Sequence, residues 1–465
     1  MRTWQVAAVS ALPLGLASCD ALVGVVPVTG NDGGPSSRDA GHDSTVRDSG
    51  DAGRDASADC ARPGTCGPIV SLCADASPGA IVCDQNTRVR CGPDLATVSD
   101  AGACGQPRPS CVAGQCTCPD GSVTTAGVCC KATESACGGG CVDELTDNAH
   151  CGGCDAACVE GGSCTNGWCI VTLASGQKSP NTVAVDSTRI YWTNYNDAGS
   201  VVSAPLAGGA PLTLATDQSG AFAIAVGASD VYWSNARDDA GAVASVALGG
   251  GTRIPVAAAQ NNPRGVTVHG DRLYWVDFEG ATVMSASLDG GTAVTLASTQ
   301  GRPFGIAVNG ARVYWTEYLG GNVMSVPLDG GSLDSGTVVR LKSGLSEPAF
   351  IVLGATRAYW TNYGGGTVMS IPLDGGDAAV LAENRDHPYG IAVSATTAYW
   401  VDEFTGLVMS VPLDGGRPDG GSLVTLASGQ LNPIGVALDG GNLYWCTSGT
   451  SGSSNGTVME LTLKK

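Results

Sequence analysis

From residue 170 to the end of the sequence, short apolar runs alternate with clusters of Gly, Asp and Asn. Within runs such as 313–316 and 323–328, large apolar residues are interleaved with small or polar ones, which is the period of a strand with one buried face. The Asp-Gly-Gly at 329–331 favours a tight hairpin turn. The pattern predicts many short antiparallel strands.

The dipeptide Tyr-Trp divides this region into seven similar units of 40 to 45 residues. A period of that size predicts a repeat architecture whose units bury their apolar faces only by stacking. Each unit holds four predicted strands, which is typical of a propeller blade. We therefore predict an all-β, seven-bladed β-propeller over residues 170–465. Its predicted structural residues are Trp192, Trp233, Trp275, Trp315, Trp360, Trp400 and Trp445.

The two ends of the repeat region predict how the ring closes. The last unit stops after its third strand, at 458–463, and the segment 170–177 repeats 423–430 at seven of eight positions. The segment 170–177 is therefore predicted to be the outer strand of the last blade. Closure would give 28 strands and remove an unpaired edge.

The Tyr-Trp units resemble the YWTD propeller repeats of the low-density-lipoprotein receptor family. The resemblance implies an extracellular binding propeller, but family propellers have six blades and this chain has seven units, so partner sites do not transfer directly. The fourth motif position carries a small polar side chain in most units, which we interpret as structural, tying a strand end to nearby backbone N–H groups; a ring of metal ligands or catalytic groups is the alternative. It holds Asn194, Asn235, Asp277, Glu317, Asn362, Asp402 and Thr447.

The first 18 residues predict a secretory signal, because a charged start precedes an apolar run too short to span a bilayer. Leu16-Ala17-Ser18-Cys19 resembles the lipobox of bacterial lipoproteins, which implies lipidation of Cys19; an ordinary signal with an incidental Cys is the alternative. Residues 19–59 are rich in Asp, Gly and Ser and predict a disordered tether. We expect the protein to attach to the membrane through the lipid anchor only.

Residues 60–169 hold 18 of the 20 cysteines, which predicts a disulfide-rich module in an oxidising compartment. The run from Cys137 through Cys151-Gly152-Gly153-Cys154 to Cys169 resembles the repeat of stigma-specific cysteine-rich proteins. That resemblance implies an extracellular disulfide module without catalysis. A redox pair or half of a zinc site at Cys151 and Cys154 is the alternative.

Composition narrows the possible partners. The net charge of −19 excludes nucleic acid, whose phosphates need a basic surface. Histidine is scarce, with four residues in all. We predict no cofactor, no metal site and no catalytic residues.

One face of the predicted propeller gathers the variable connections, which follow each Tyr-Trp strand or lead into each innermost strand. All five Phe residues, and every Tyr outside the seven motifs, fall in or beside these connections. We expect a recognition surface for a protein or a glycan; the alternative is that the rings only cap the blade ends. Its outer aromatic residues are Tyr195, Phe278, Tyr318, Tyr363 and Phe404.

A second set, placed just before the innermost strands, is expected at the mouth of the central channel. It comprises Asn181, Phe222, Arg264, Phe304, Ala349, Tyr389 and Ile434. This set contains no carboxylate and no His, which disfavours an enzyme. We expect Phe304→Ala with Tyr389→Ala to weaken ligand capture without unfolding the protein.

These features predict a non-catalytic, lipid-anchored binding or adhesion protein of the cell envelope, facing the periplasm or exposed on the cell surface. The first alternative is a propeller hydrolase, such as a metal-dependent lactonase, which would need converging acids, bases or metal ligands. The second is a purely structural envelope protein without a specific ligand.

Overall fold

The computed structural model describes five short strands between residues 81 and 117, and residues 134–463 apart from 138–139, 160, 237–240, 333–335 and 414–422. The predicted signal, Cys19 and the tether lie outside the described residues. All regular elements within the described residues are β-strands, which confirms the all-β prediction. In that part of the chain no helix is long and apolar enough to cross a membrane.

The segment before the propeller contains a three-stranded sheet and three hairpin strand pairs, the last of which runs into the propeller. These strands are β1 (Ile81–Asp84), β2 (Thr87–Cys91), β3 (Val98–Ala103), β4 (Ser110–Val112), β5 (Gln115–Thr117), β6 (Ser135–Cys137), β7 (Gly140–Val142), β8 (Gly162–Thr165) and β9 (Trp168–Gln177).

Three disulfides cross-link the described part of this module: Cys137–Cys154, Cys151–Cys164 and Cys158–Cys169. Cys151 and Cys154 each pair with another cysteine, so they form neither a redox pair nor half of a zinc site. The third disulfide ends on β9, which continues into the propeller. The module is therefore tied to the propeller by a covalent bond as well as by the chain.

Seven blades follow, and each is an antiparallel sheet; in blades 1 to 6 the strands lie in chain order from the channel outwards. Blade 1 contains β10 (Pro180–Val185), β11 (Arg189–Asn194), β12 (Ser200–Pro205) and β13 (Leu212–Ala215). Blade 2 contains β14 (Ala221–Val226), β15 (Asp230–Asn235), β16 (Gly241–Ala247) and β17 (Ile254–Gln260). Blade 3 contains β18 (Pro263–His269), β19 (Arg272–Asp277), β20 (Thr282–Ser287) and β21 (Val294–Ala297).

Blade 4 contains β22 (Pro303–Val308), β23 (Arg312–Glu317), β24 (Asn322–Pro327) and β25 (Val339–Lys342). Blade 5 contains β26 (Pro348–Leu353), β27 (Arg357–Asn362), β28 (Thr367–Pro372) and β29 (Ala379–Ala382). Blade 6 contains β30 (Pro388–Val393), β31 (Thr397–Asp402), β32 (Leu407–Pro412) and β33 (Val424–Ala427). Blade 7 contains β34 (Pro433–Asp439), β35 (Asn442–Thr447) and β36 (Gly456–Thr462), with β9 and β8 outside them.

The ring closes as the sequence predicts. Strand β9 pairs antiparallel with β36, with Met459 opposite Thr172 and Leu461 opposite Ile170. Strand β8 then adds a fifth strand outside β9, so blade 7 is wider than the four-stranded blades. The seven-bladed propeller closed by an N-terminal outer strand is therefore confirmed.

The Tyr-Trp pair joins each blade to both of its neighbours. Adjacent residues of a strand point to opposite faces of the sheet, so Tyr and Trp of one pair enter different interfaces. In all seven interfaces the Tyr of one blade shares an apolar cluster with the Trp of the next; Tyr314, for example, shares one with Trp360. Tyr444 of blade 7 packs with Trp192 of blade 1, which completes the ring. All seven tryptophans are fully buried.

Most of the indole N–H groups have a polar partner that the repeat itself supplies. In four blades the Trp donates to a Gln that precedes it by 15 residues, as in Trp233 to Gln218 Oε1 at 3.1 Å. Blades 5 and 6 lack that Gln, and their Trp donates to Asn362 or Asp402 two residues further on. Because buried donors need partners, these positions are part of the repeat.

The hydroxyl that follows Tyr-Trp links neighbouring blades close to the channel. Thr193 donates to the carbonyl of Phe222 at 2.7 Å, Ser234 to that of Arg264 at 2.7 Å, and Thr361 to that of Tyr389 at 2.6 Å. Each acceptor belongs to the innermost strand of the next blade. The motif therefore fixes the backbone of the residues predicted to line the channel mouth.

Glycine allows the innermost strands to approach one another. A Cβ atom added to Gly305 would lie 2.5 Å from the carbonyl oxygen of Ala349, and one added to Gly265 would lie 2.6 Å from that of Phe304. Real side chains do not tolerate such contacts, so Gly at this register keeps the channel narrow.

Candidate ligand-binding face

The central channel is narrow and mostly apolar in its wall. It holds a cavity of about 140 Å³, lined by two residues from each innermost strand. Ile224, Val266, Ile306, Ile391 and Val436 are typical of its lining. The lining residues, all within the described part of the chain, include no carboxylate and no histidine.

The residues predicted to form the channel-mouth ring occupy one register, the second residue of each innermost strand. They therefore lie within these strands and not just before them. Phe222, Arg264, Phe304 and Tyr389 come together above the cavity. Asn181 instead donates to the Phe222 carbonyl at 3.0 Å, and Ala349 and Ile434 are buried in the packing between blades.

All nine aromatic residues predicted for this face form one continuous cluster, which we call the aromatic face. Phe304 lies at its centre, with ring centroids 5.4 to 6.1 Å from those of five neighbours, among them Phe222 and Tyr389. Such distances and the mostly edge-on angles are those of favourable aromatic pairs. The cluster contains Tyr195, Phe222, Phe278, Phe304, Tyr318, Phe350, Tyr363, Tyr389 and Phe404.

The cluster has a buried centre and an exposed margin. Phe222, Phe278 and Phe304 are at least nine-tenths buried, whereas Tyr195 is 40% exposed and Phe404 55% exposed. The inner rings close the channel mouth, as the alternative of capping rings expects, and the marginal rings remain available to a ligand. Removing Phe304 would therefore open a cavity and destabilise the propeller by about 3 to 5 kcal/mol, so the expectation that Phe304→Ala leaves the fold intact is revised.

Polar groups accompany the exposed margin. Tyr363 and Phe404 enclose the ring of His387, with centroids 4.6 and 4.3 Å away, and His387 Nδ1 lies 2.8 Å from the Asp386 carboxylate. Burial raises the pKa of Tyr318 and of Tyr363, and the carboxylates of Glu347 and Glu403 beside them raise these pKa values further. The margin therefore combines ring faces with hydrogen-bonding and negatively charged groups.

The polar side chains at the fourth motif position are all buried at the same end of the blades. Their partners are mostly side chains: Asn194 bonds Ser200, Asn362 bonds Thr367, and Thr447 bonds Thr457. Two of them also accept a backbone N–H: Glu317 from Gly301 at 2.8 Å, and Thr447 from Thr457 at 3.2 Å. These side chains link neighbouring strands, as the structural interpretation expects. Most of their partners are side chains, whereas backbone N–H groups were expected.

Two of these positions carry carboxyl groups whose burial raises their pKa to about 6, Asp277 and Asp402. Arg385, 3.5 Å away, partly offsets the effect for Asp402. For Asp277 the nearby hydroxyl of Thr282 lowers the pKa in place of a cation, and Oδ1 is buried without a hydrogen-bond partner. Asp277 is therefore the less well compensated of the two.

We expect Asp277→Asn to stabilise the protein at pH 7 by about 1 to 3 kcal/mol. A carboxyl with a higher pKa in the folded than in the unfolded chain makes the free energy of unfolding fall as pH rises from about 4 to about 6. Asparagine removes that fall, and three other blades already carry Asn at this position. Chemical denaturation of both proteins at pH 4, 5, 6 and 7 measures the free energy of unfolding and its pH dependence.

Asp402→Asn is the matched control, because it removes the partner of Arg385. It should give a smaller gain or a loss. If the free energy of unfolding of Asp277→Asn depends on pH as it does in the wild type, the Asp277 carboxyl is not the source of that dependence.

Sequence reasoning missed part of the face. Leu319 and Leu431, in its connections, are 59% and 50% exposed, and Glu347 adjoins Tyr318. Leu319 follows Tyr318 directly, so a search for any large apolar residue after the motif, and not for aromatic residues alone, would have found it. Glu347 carries no signal in the sequence that separates it from other surface acids.

The fold and this face together define an aromatic-faced, seven-bladed propeller with a disulfide-rich N-terminal module. No protein-family model matches the chain, and no curated protein matches it. Among solved structures it is similar to a virginiamycin B lyase from Staphylococcus aureus, with 12% identity, a TM-score of 0.54, and coverage of 63% of this chain and 98% of that chain.

A streptogramin B lyase structure is similar to the same extent, with 12% identity, a TM-score of 0.52, and coverage of 63% of this chain and 96% of that chain. A weaker similarity, with a TM-score of 0.43 and 18% identity over 53% of this chain and 96% of the other, is to a chain of a nidogen/laminin complex. At these identities the similarities to the lyases show a shared propeller fold and carry no information about the ligand of this chain.

Proposed function

We propose that this protein is a non-catalytic binding protein that recognises a protein or a glycan through the aromatic face. The observation that carries the proposal is the single cluster of nine aromatic rings on one face, with Tyr195 and Phe404 exposed at its margin. Monomeric proteins bury most large rings, and exposed aromatic groups beside polar ones are typical of recognition surfaces.

A binding role is favoured over catalysis by the chemistry of the channel. Hydrolysis or elimination needs an acid, a base or metal ligands that converge on one reacting atom. The described channel wall is built from aliphatic and small side chains and the ring of Phe350, and the carboxylates and His387 lie at the margin of the face. The lyase activity named for the similar structures belongs to those proteins.

The proposal also includes attachment to the cell envelope by a lipid on Cys19, from the resemblance of residues 16–19 to a lipobox. The resemblances to YWTD propellers and to stigma-specific modules favour an extracellular or periplasm-facing position. The three described disulfides agree with an oxidising compartment. Mass spectrometry of the membrane-extracted protein tests the anchor, since it should find an acylated Cys19 as the first residue.

The binding role is tested with a variant that changes only exposed rings. Tyr195→Ser with Phe404→Ser should weaken capture of the ligand at least about tenfold, because exposed aromatic residues that a ligand buries contribute about 1 to 2 kcal/mol or more each. The wild-type protein is first screened on a glycan array and by pull-down from an envelope extract. The variant is then measured against the strongest hit.

The matched control replaces two exposed aliphatic residues in the same blades, Leu212→Ser with Val424→Ser. These residues are 44% and 42% exposed and lie on the outermost strands of blades 1 and 6, where Tyr195 and Phe404 lie on the connections. The control should bind like the wild type. Equal loss of binding in both double variants would contradict recognition through the aromatic face.

A further inference from the structure

Arg264 is the one member of the channel-mouth ring with a permanent charge, and it lies among the aromatic rings. Its guanidinium carbon is 4.4 Å from the ring centroid of Phe222, 5.0 Å from that of Phe278 and 5.7 Å from that of Phe304. These contacts hold the cation at the centre of the face, where it also influences the hydroxyls of Tyr318 and Tyr389.

This guanidinium lacks the partners that its neighbours have. Its Nε is buried without a hydrogen-bond partner, and none of its nitrogens forms an ion pair or hydrogen bond with another described residue. On the same face, Arg302 pairs with Glu279 at 2.9 Å, and Arg385 lies 3.5 Å from Asp402. Ring contacts alone leave the buried Nε–H of Arg264 unsatisfied, which is unfavourable for a partly buried cation.

We propose that Arg264 is the receptor for the carboxylate of an acidic sugar, which stacks against the marginal rings of the aromatic face. The proposal rests on the proposed binding function and names the class of its ligand. A planar guanidinium accepts a carboxylate through two parallel hydrogen bonds. The carboxylate would satisfy the donors that the protein leaves free.

The surroundings favour one carboxylate over a phosphate or a polyanion. The nearby guanidinium of Arg302, 5.3 Å from the ring centroid of Phe278, already pairs with Glu279, whereas a phosphate carries more charge and usually meets several basic groups. Glu347 and Glu403 lie beside Tyr318 and Tyr363 and would repel further negative charge. The protein as a whole carries a net charge of −19.

The margin favours a sugar over an acidic peptide. Tyr195 touches Phe222, the ring nearest to Arg264, with centroids 5.9 Å apart, so an exposed ring lies beside the unpaired cation. Flat aromatic faces pack against the apolar side of a sugar ring, and the carboxylates and His387 at the margin offer partners for sugar hydroxyls. An acidic peptide is the competing ligand in the test below.

A purely structural role is the competing explanation for Arg264, since a cation between aromatic rings also stabilises a fold. The two roles differ in one measurable property. A structural cation affects all ligands of the face equally, whereas a carboxylate receptor discriminates between an acidic sugar and its neutral counterpart. Glucuronic acid and glucose form such a pair, because they differ only by a carboxylate in place of a hydroxymethyl group.

Saturation-transfer NMR titrations of the full-length protein at pH 7 measure both sugars. The wild type should bind glucuronic acid about tenfold or more tightly than glucose, as a charge-assisted hydrogen-bonded pair implies. Arg264→Met should abolish that preference while glucose binding persists, and Arg264→Lys should keep part of it. Thermal melting of each variant shows that the fold is retained.

Equal binding of the two sugars, or a preference that survives in Arg264→Met, would overturn the carboxylate assignment while leaving the binding face in place. The proposed binding function is tested separately. It would be wrong if Tyr195→Ser with Phe404→Ser did not reduce the binding of glucose. Binding of an acetylated tetra-aspartate peptide with no binding of glucuronic acid would overturn the sugar assignment.

Asp238 and Asp239 are a further control, because they follow β15 in the sequence and lie outside the described residues. The variant Asp238→Asn with Asp239→Asn should bind glucuronic acid like the wild type. If glucuronic acid binds only to this variant, the anion that Arg264 meets belongs to the protein itself, and the proposal is wrong.

Discussion

A chain that begins at Lys178 is expected to lose the cooperative thermal unfolding transition that a chain beginning at Ile170 retains. The longer protein contains residues 170–177, which are β9 without its first two residues, and the shorter protein lacks them. This strand covers β36, in which Val458 and Leu461 are fully buried. It also provides Gln177, whose Oε1 accepts the Trp192 indole N–H at 3.0 Å.

Loss of this strand would expose apolar side chains and a row of unpaired backbone groups at once. Unpaired strand edges promote association with other chains, so the shorter protein should also aggregate. Circular dichroism melting and size-exclusion chromatography measure both effects. Similar melting temperatures for the two proteins would mean that the ring is held closed by other contacts.

Trp233→Ala is expected to lower the free energy of unfolding by about 3 to 5 kcal/mol. The side chain is fully buried between blades 1 and 2, in a cluster with Tyr191 and Val246. Its removal leaves a cavity and also leaves the buried Oε1 of Gln218 with one partner fewer, since only Asn235 still donates to it. Denaturant unfolding followed by circular dichroism provides the measurement.

Two further variants separate packing from hydrogen bonding. Trp233→Phe keeps most of the ring volume and loses the N–H donor, so it should destabilise by about 1 to 2 kcal/mol. Phe404→Ala removes a ring that is 55% exposed and should change stability by less than about 1 kcal/mol. A Trp233→Ala protein as stable as Phe404→Ala would contradict the role assigned to the Tyr-Trp pairs.

The propeller could be predicted from the sequence because its repeat is expressed in local patterns. The interval between Tyr-Trp pairs gives the number of blades, and the likeness of 170–177 to 423–430 predicts the closing strand. The fifth strand of blade 7, β8, could not be predicted in the same way. It belongs to the cysteine-rich module and has no counterpart in the repeat, so no internal comparison indicates it.

The candidate site could be predicted only as a set of residues. The sequence places the aromatic residues on one face, because that follows from strand order. It cannot show which rings are buried, since Tyr195 and Phe278 each follow directly after the Tyr-Trp strand of their blade and are 40% and 9% exposed. The isolation of Arg264 from any described carboxylate likewise depends on side-chain positions that no pattern encodes.

Glutamine at 15 residues before Trp was a signal that sequence reasoning overlooked. Five units share it. In four of them the Gln accepts the indole N–H, and Asn362 or Asp402 replaces its role in the two units that lack it. The compensation is visible in the sequence once the indole N–H is treated as a donor that needs a buried acceptor. In blades 1 and 2 the Asn at the fourth motif position donates to the same Gln.

Hydrogen–deuterium exchange with the strongest binder from the glycan and protein screens tests most directly whether the aromatic face recognises a ligand. Ligand binding should slow exchange in the connections at 195–199, 318–321, 363–366 and 403–406, which border the cluster. The Asp-Gly-Gly hairpins at the opposite ends of the blades, such as 289–291 and 374–376, should be unchanged. Protection confined to those hairpins would contradict the account.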